Sequence, residues 1–264
     1  MPRLREYFIR ECREGECGKL PRSVYLFNAA ILTVGVVALF YGMFSAVHYD
    51  FQWESVYAYR QKFIDGFLVT VELSAAALIL SLLIGLFFAY GQNSKIILLR
   101  FFSRFYVEII RGTPLLVQIL IFFYVFASNL GIENRYIAGV VILALFSGAY
   151  VTEIIRAAIG SIERGQFEAA KSLGFTPFGT YRYIILPQAF KRMLPPLTGQ
   201  FASIIKDSSL LSIISINELT MNAQEVNAYT YSTLESYIPL ALLYLLLTYP
   251  ISHLSTRLER RLQG

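Results

Sequence analysis

The sequence predicts an all-α membrane protein with six transmembrane helices and both termini in the cytoplasm. Three observations carry this prediction. Of 264 residues, 56% are hydrophobic and only 16% charged, whereas charged residues alone make up about a quarter of an ordinary soluble chain; the mean hydropathy of +0.53 agrees. Six segments are long enough to cross a bilayer core, which takes about 20 helical residues: Val24 to Val47, Phe67 to Gly91, Pro114 to Leu130, Tyr136 to Ile155, Gln188 to Ile216 and Tyr237 to Leu254. Finally, Lys and Arg collect between alternate pairs of these segments, as they do in cytoplasmic loops.

Residues 1–50 form a basic tail (Arg3, Arg5, Arg10, Arg13, Lys19, Arg22) followed by the first span. That span is longer than the apolar core of a cleavable signal and has acidic residues in front of it, so it reads as an anchor that stays. Cys12 and Cys17 have neither a second cysteine pair nor a nearby histidine, and read as two reduced thiols, not a metal site or a disulfide. His48 and His253 sit at span ends and read as interfacial residues. The outer stretch from His48 to Asp65 carries Tyr49, Phe51, Trp53, Tyr57, Tyr59 and Phe63, the aromatic composition of a headgroup belt.

In the second span Ser81, Gly85 and Ala89 recur at every fourth position, a spacing that lets helix backbones approach closely. Glu72, in the same span, either faces protein or water or snorkels to the outer surface. Thr113-Pro114 reads as an N-cap and a first-turn proline opening the third span. The fifth is the weakest, interrupted by Thr198, Gln200, Ser203, Lys206, Asp207, Ser208 and Ser209. Charge supplies the missing test for it. With all six segments crossing and the N-terminus inside, only Arg60, Lys62, Arg135 and Lys206 of the 23 basic residues fall outside the cytoplasmic segments, while the outer segment Asn217 to Ser236 holds Glu218, Glu225 and Glu235 and no Lys or Arg. The net charge of +5 and the pI near 9.1 therefore reflect orientation and anionic membrane lipid, and predict no nucleic-acid partner.

Between the fourth and fifth spans lies a basic segment. Its first part, Ile162 to Leu173, is built of good helix formers, with Ile162, Phe167, Ala170 and Leu173 apolar, and Gly174 can take the left-handed conformation that closes such a helix. Thr176-Pro177 then opens a second short helix, and Leu186-Pro187 is expected to end it. Glu168-Ala169-Ala170, three residues, Gly174, nine residues, then Ile184, Leu186 and Pro187 resemble at every fixed position the EAA loop of ABC-importer permeases. Gly66 to Leu73, Arg111 to Gln118, Ser147 to Ala158 and Ile205 to Leu210 are similar to the subgroup that serves polar amino acids. The likeness runs from about Phe51 to the C-terminus; many members lack the helix within residues 1–50, for which no role carries over.

The resemblance implies an ABC type I importer-like permease domain over residues 51–264, with a coupling elbow at about 160–187, in the bacterial cytoplasmic (inner) membrane. It implies four partners: an ABC ATPase subunit gripping Glu168 and its neighbours, a second permease subunit, the same or homologous, an extracytoplasmic solute-binding protein and a polar amino acid substrate. The chain contains no G-x-x-x-x-G-K-[ST], so it is expected to be no enzyme and to hold no cofactor or metal; ATP and Mg belong to the partner ATPase. For substrate contact the residues single out Asp207 and Lys206, costly ionisable groups at membrane depth, with Ser208, Ser209, Gln200 and Glu72 nearby in sequence or span. Asp207 suits an ammonium and Lys206 a carboxylate, yet neighbours on a helix point about 100° apart, and pairing of either with Glu72, Glu153 or a helix end is the competing reading. Two other classes stand beside the importer. An ion-gradient-driven secondary amino acid transporter would show related halves, each with an interrupted helix, and a membrane enzyme would need convergent catalytic groups that two histidines and two cysteines do not supply.

Overall fold

The computed structural model describes residues 22–45, 49, 51–127, 129 and 131–262, and every regular element among them is helical. The basic tail with Cys12 and Cys17, and also His48, lie outside the described residues. The chain divides into two compact units, residues 1–51 and 52–264. Helix α1 (Arg22–Ser45) of the first unit is apolar around its whole circumference, the pattern of a span.

The second unit begins with α2 (Trp53–Ala58) and α3 (Arg60–Gln92), whose 33 residues make a rod of about 50 Å. Next come α4 (Ile97–Gly112), α5 (Leu115–Ile121) with its continuation as a π turn to Ala127, and α6 (Arg135–Gly160). Two short elements follow, α7 (Arg164–Ser172) and α8 (Pro177–Thr180), the latter running through a π turn (Tyr181–Ile185) into α9 (Leu186–Asp207) and a 3-10 turn (Ser208–Ile214). Helices α10 (Leu219–Thr230) and α11 (Thr233–Leu262) complete the chain.

The centre of the bundle is the α3–α6 crossing, and small residues make it possible. Ser81, Gly85 and Ala89 are buried as the four-residue spacing predicts. A Cβ on Gly85 would lie 2.7 Å from Val151 Cβ and 3.3 Å from the Gly148 carbonyl, and a Cβ on Gly148 would lie 3.0 Å from Ile84 Cβ. The Thr152 hydroxyl donates to Gly148 O at 2.8 Å and reaches Gly85 O at 3.3 Å across the same contact. Leu73, Ala77, Leu115, Ile119, Ile142, Leu143, Ile204 and Leu211 extend this core through α3, α5, α6, α9 and the 3-10 turn.

Two local expectations are corrected, and the count of six spans is matched only in part. Four helices are long and apolar enough to span, at Arg22–Gly42, Arg60–Gln92, Arg135–Gly160 and Thr233–Glu259, and a fifth only if α4 and α5, bent by 111°, count as one. The fifth predicted span, Gln188 to Ile216, is helical but more polar than these four. Its hydroxyls turn back onto their own helix, Thr198 onto Pro195 O at 2.7 Å, Ser208 onto Ile205 O at 2.8 Å and Ser209 onto Lys206 O at 2.6 Å, and Leu197, Thr198, Ala202, Ile204 and Ile205 are buried in protein. First, Thr113 is not an N-cap. Its hydroxyl donates to Ile109 O at 2.9 Å at the end of α4, and Pro114 precedes α5 in extended conformation. Second, Leu186-Pro187 ends nothing. A wider turn, with Leu186 N–H donating to Tyr181 O five residues back, absorbs the missing proline N–H and passes directly into α9.

The Asn217 to Ser236 segment is packed, not a solvated loop. Leu219, Ala223 and Val226 of α10 bury against Val56 and Phe63, and Tyr59 stacks on Tyr229 at 5.9 Å. Each of its three carboxylates is engaged: Glu225 pairs with Lys62, Glu235 accepts the Gln52 N–H, and Glu218 caps α10 by accepting from Thr220 N and Met221 N at 2.8 Å each while Tyr244 donates at 2.9 Å. Burial still pushes the Glu218 carboxyl above its ordinary value, against these donors.

Candidate functional site

The elbow is a product of local sequence. Helix α7 closes with the Gly174 N–H on Lys171 O and the Phe175 N–H on Ala170 O, each at 3.0 Å, and with Gly174 at φ +79°. This is the six-to-one closure that favours glycine at the left-handed position. The Thr176 hydroxyl accepts from Gly179 N at 3.2 Å, and Pro177 occupies the first turn of α8. The root of the elbow is fixed by Ile162, Ile185 and Ala189, which bury with Ala158 of α6, and by Arg192, which donates to Ser161 O at 2.5 Å and Ser161 Oγ at 2.8 Å; Ala170 is buried as well.

The outer face of the elbow is exposed. Glu168, Ala169, Gly174, Leu186 and Pro187 face solvent, and Ile184 is half-buried. Leu173 and Phe178, at 76% and 78% exposure, are large apolar groups projecting from a polar surface. Of the EAA positions, Ala170 is buried, while Glu168 and Ala169 are exposed.

Beside the elbow lies a charged cavity of about 630 Å³, bounded by the ends of α3, α4 and α6 and lined by Gln92, Arg104, Glu108, Arg111, Glu153 and Arg156 among others. Arg156 grips Glu153 with two hydrogen bonds, at 3.0 and 2.7 Å. Arg111 approaches the same carboxylate at 3.3 Å and lies 5.4 Å over the Tyr150 ring. A second opening of about 470 Å³ shares Arg111 and Glu153 and leads to Arg192 and Pro196. The sequence offered Glu153 within a motif and as a partner for Asp207 or Lys206, yet its three-residue spacing from Arg156 on a helix signals the ion pair that forms; the approach of Arg111 from another helix has no such signal.

The residues singled out for substrate contact do not form one cluster. Asp207 is half-buried and Lys206 exposed, as their 100° offset requires, and neither pairs with Glu72 or Glu153 among the described residues. Glu72 is exposed on α3 and Ser208 is buried. Gln200 reaches Ser147 of α6 at 3.5 Å, and Ser209 is spent on its own backbone.

Residues 81–264 match the family described as binding-protein-dependent transport system inner membrane component. The glutamine transport system permease protein GlnP of Escherichia coli (strain K12) is 36% identical over 217 residues, 81% of this chain and 99% of that one. A Rickettsia typhi protein that bears the same name provisionally is 39% identical over 200 residues, 75% of this chain and 92% of that one. Among solved structures, an amino acid ABC transporter crystallised with histidines superposes with a TM-score of 0.75 at 39% identity, covering 81% of this chain and all of that one. The MetNI methionine ABC transporter in an inward-facing form has the same fold, with a TM-score of 0.64 at 18% identity. Sequence, elbow geometry and fold converge: the chain belongs to the family of binding-protein-dependent transport system inner membrane components, the permeases of ABC importers.

Proposed function

We propose that this chain is the permease subunit of an ATP-driven importer and forms, with a second permease, the path of a polar amino acid across the bacterial inner membrane. An external binding protein delivers the solute, and a separate ATPase supplies the energy with ATP and Mg. The observation that supports this reading is the exposed elbow: Glu168, Leu173 and Phe178 are exposed on it, Ala170 and Ile185 are buried, and Gly174 takes the left-handed turn that closes α7. A rigid projection of this kind passes displacement from a docked partner into α6 and α9, to which Ile162, Ala189 and Arg192 join it. Closure of the ATPases would then tilt those helices and switch the cavity between inward- and outward-facing forms.

The names of the relatives favour glutamine or another amino acid as the solute. An amino acid offers one ammonium and one carboxylate, and the charged cavity holds both complements in Glu153 and in Arg111 with Arg156. Asp207, Lys206, Ser208, Ser209, Gln200 and Glu72 are the further candidates along the path. Family membership leaves the gradient-driven carrier without support.

Replacing Glu168 with Ala tests the coupling. The variant is expected to reach the membrane, lose the co-purifying ATPase and lose uptake. Normal uptake with normal ATPase recovery would refute the role given to the elbow.

A further inference from the structure

Helix α4 has three distinct faces. Ser103, Val107 and Ile110 are buried in the bundle. A second face carries Ile97, Phe101, Phe105 and Ile109 at successive four-residue steps with Leu98 beside them, all exposed, from 45% at Ile109 to 79% at Ile97. Arg104, Glu108 and Arg111 form the third, toward the cavity. A row this apolar is not left in water.

The corner with α5 indicates what covers it. Gln118 of α5 is buried, and its side-chain amide donates to Ile110 O at 2.7 Å, Thr113 O at 3.1 Å and Thr113 Oγ1 at 2.8 Å. This staple holds α4 at 111° to the apolar helix that follows. If that helix runs along the membrane normal, α4 lies about 20° from the membrane plane, the attitude of an in-plane amphipathic helix. Its cations are unequally engaged. Arg100 gives its guanidinium to Ser94 O at 3.0 and 2.7 Å and Arg111 gives its own to Glu153, whereas Lys95 and Arg104 are exposed and make no ion pair or side-chain hydrogen bond among the described residues.

We propose that α4 is a lipid-binding element: Ile97, Phe101 and Phe105 enter the acyl layer, and Lys95 and Arg104 each take the phosphate of an anionic phospholipid. The lipid contact rests on the membrane location proposed above and on no choice of leaflet. Charge and apolar surface act together in such binding, which discriminates anionic from zwitterionic lipid through the cations and holds depth through the aromatic face.

Two measurements on the full chain test this. A Phe105→Trp substitution in a Trp53→Phe background, reconstituted with phospholipid brominated on the acyl chain, is expected to give at least twofold fluorescence quenching. Unquenched emission, or cross-linking of two copies through position 105, would overturn the proposal in favour of a protein partner on this face. Native mass spectrometry then separates the headgroup terms. Phosphatidylglycerol is expected to be retained over phosphatidylcholine, with Lys95→Gln and Arg104→Gln each weakening the former about fivefold and leaving the latter unchanged. Equal retention of both lipids, no effect of either substitution, or displacement by free inorganic phosphate would refute it.

Discussion

Gly85→Ala probes the closest helix contact in the bundle. The added methyl would lie 2.7 Å from Val151 Cβ, about 0.7 Å inside ordinary contact, and still nearer to Val151 Cγ1. Val151 is completely buried and has nowhere to turn, so α3 and α6 must separate, which also lengthens the Thr152 bridge to Gly85 O. Overpacking of this kind costs about 1–3 kcal/mol, and the helical preference of Ala over Gly returns up to about 1 kcal/mol. A net loss of about 1–2 kcal/mol is expected. Thermal unfolding in mild detergent checks it, with Gly199→Ala as control, because a Cβ there meets nothing within 4 Å. Adding Val151→Ala to Gly85→Ala removes Cγ1 and should recover about 1 kcal/mol of coupling in a double-mutant cycle. A Gly85→Ala variant as stable as the parent, or a cycle with no coupling, would refute the reasoning.

Further outcomes follow from the same geometry. Gly174→Ala forces a Cβ into the left-handed region at the end of α7, at a cost of about 1–2 kcal/mol, and should weaken ATPase recovery in a pull-down without changing membrane insertion. Gln118→Leu strands the Ile110 and Thr113 acceptors, so a loss of about 1–3 kcal/mol is expected in the same unfolding assay, with greater protease access near residue 113. For Glu218 the carboxyl is raised by burial, so its contribution to stability is fully present below its unfolded value near 4.5 and is lost as pH rises through the folded value. The midpoint of unfolding should therefore fall over that window in the parent and respond less in Glu218→Gln; equal profiles would exclude this carboxyl, with its partners Tyr244 and Thr220, as the titrating group.

What was legible from sequence alone is whatever the chain encodes within a few residues. The elbow is the clearest case: Gly174, Thr176 and Pro177 specify their turns through backbone stereochemistry and local hydrogen bonds, and the structure has them as read. The small-residue stripe Ser81, Gly85 and Ala89 was equally plain, because period and side-chain size alone define a close-packing face. Hydropathy failed where helices trade lipid for protein. The Gln188 to Ile216 segment is a partly buried helix more polar than the four that length and hydropathy mark as spans, and α4, read as a charged loop, is a helix with one face apolar and exposed. Proline was misjudged at Leu186-Pro187 because a π turn, stabilised by continuation into α9, cannot be inferred from the dipeptide. Tertiary structure alone decided the rest: Arg111 meets Glu153, Gln118 folds back onto Ile110, and Glu235 reaches Gln52 across 183 residues. Such pairings depend on which helices pack together and at what angle, and a one-dimensional pattern of apolar and charged residues does not carry that angle.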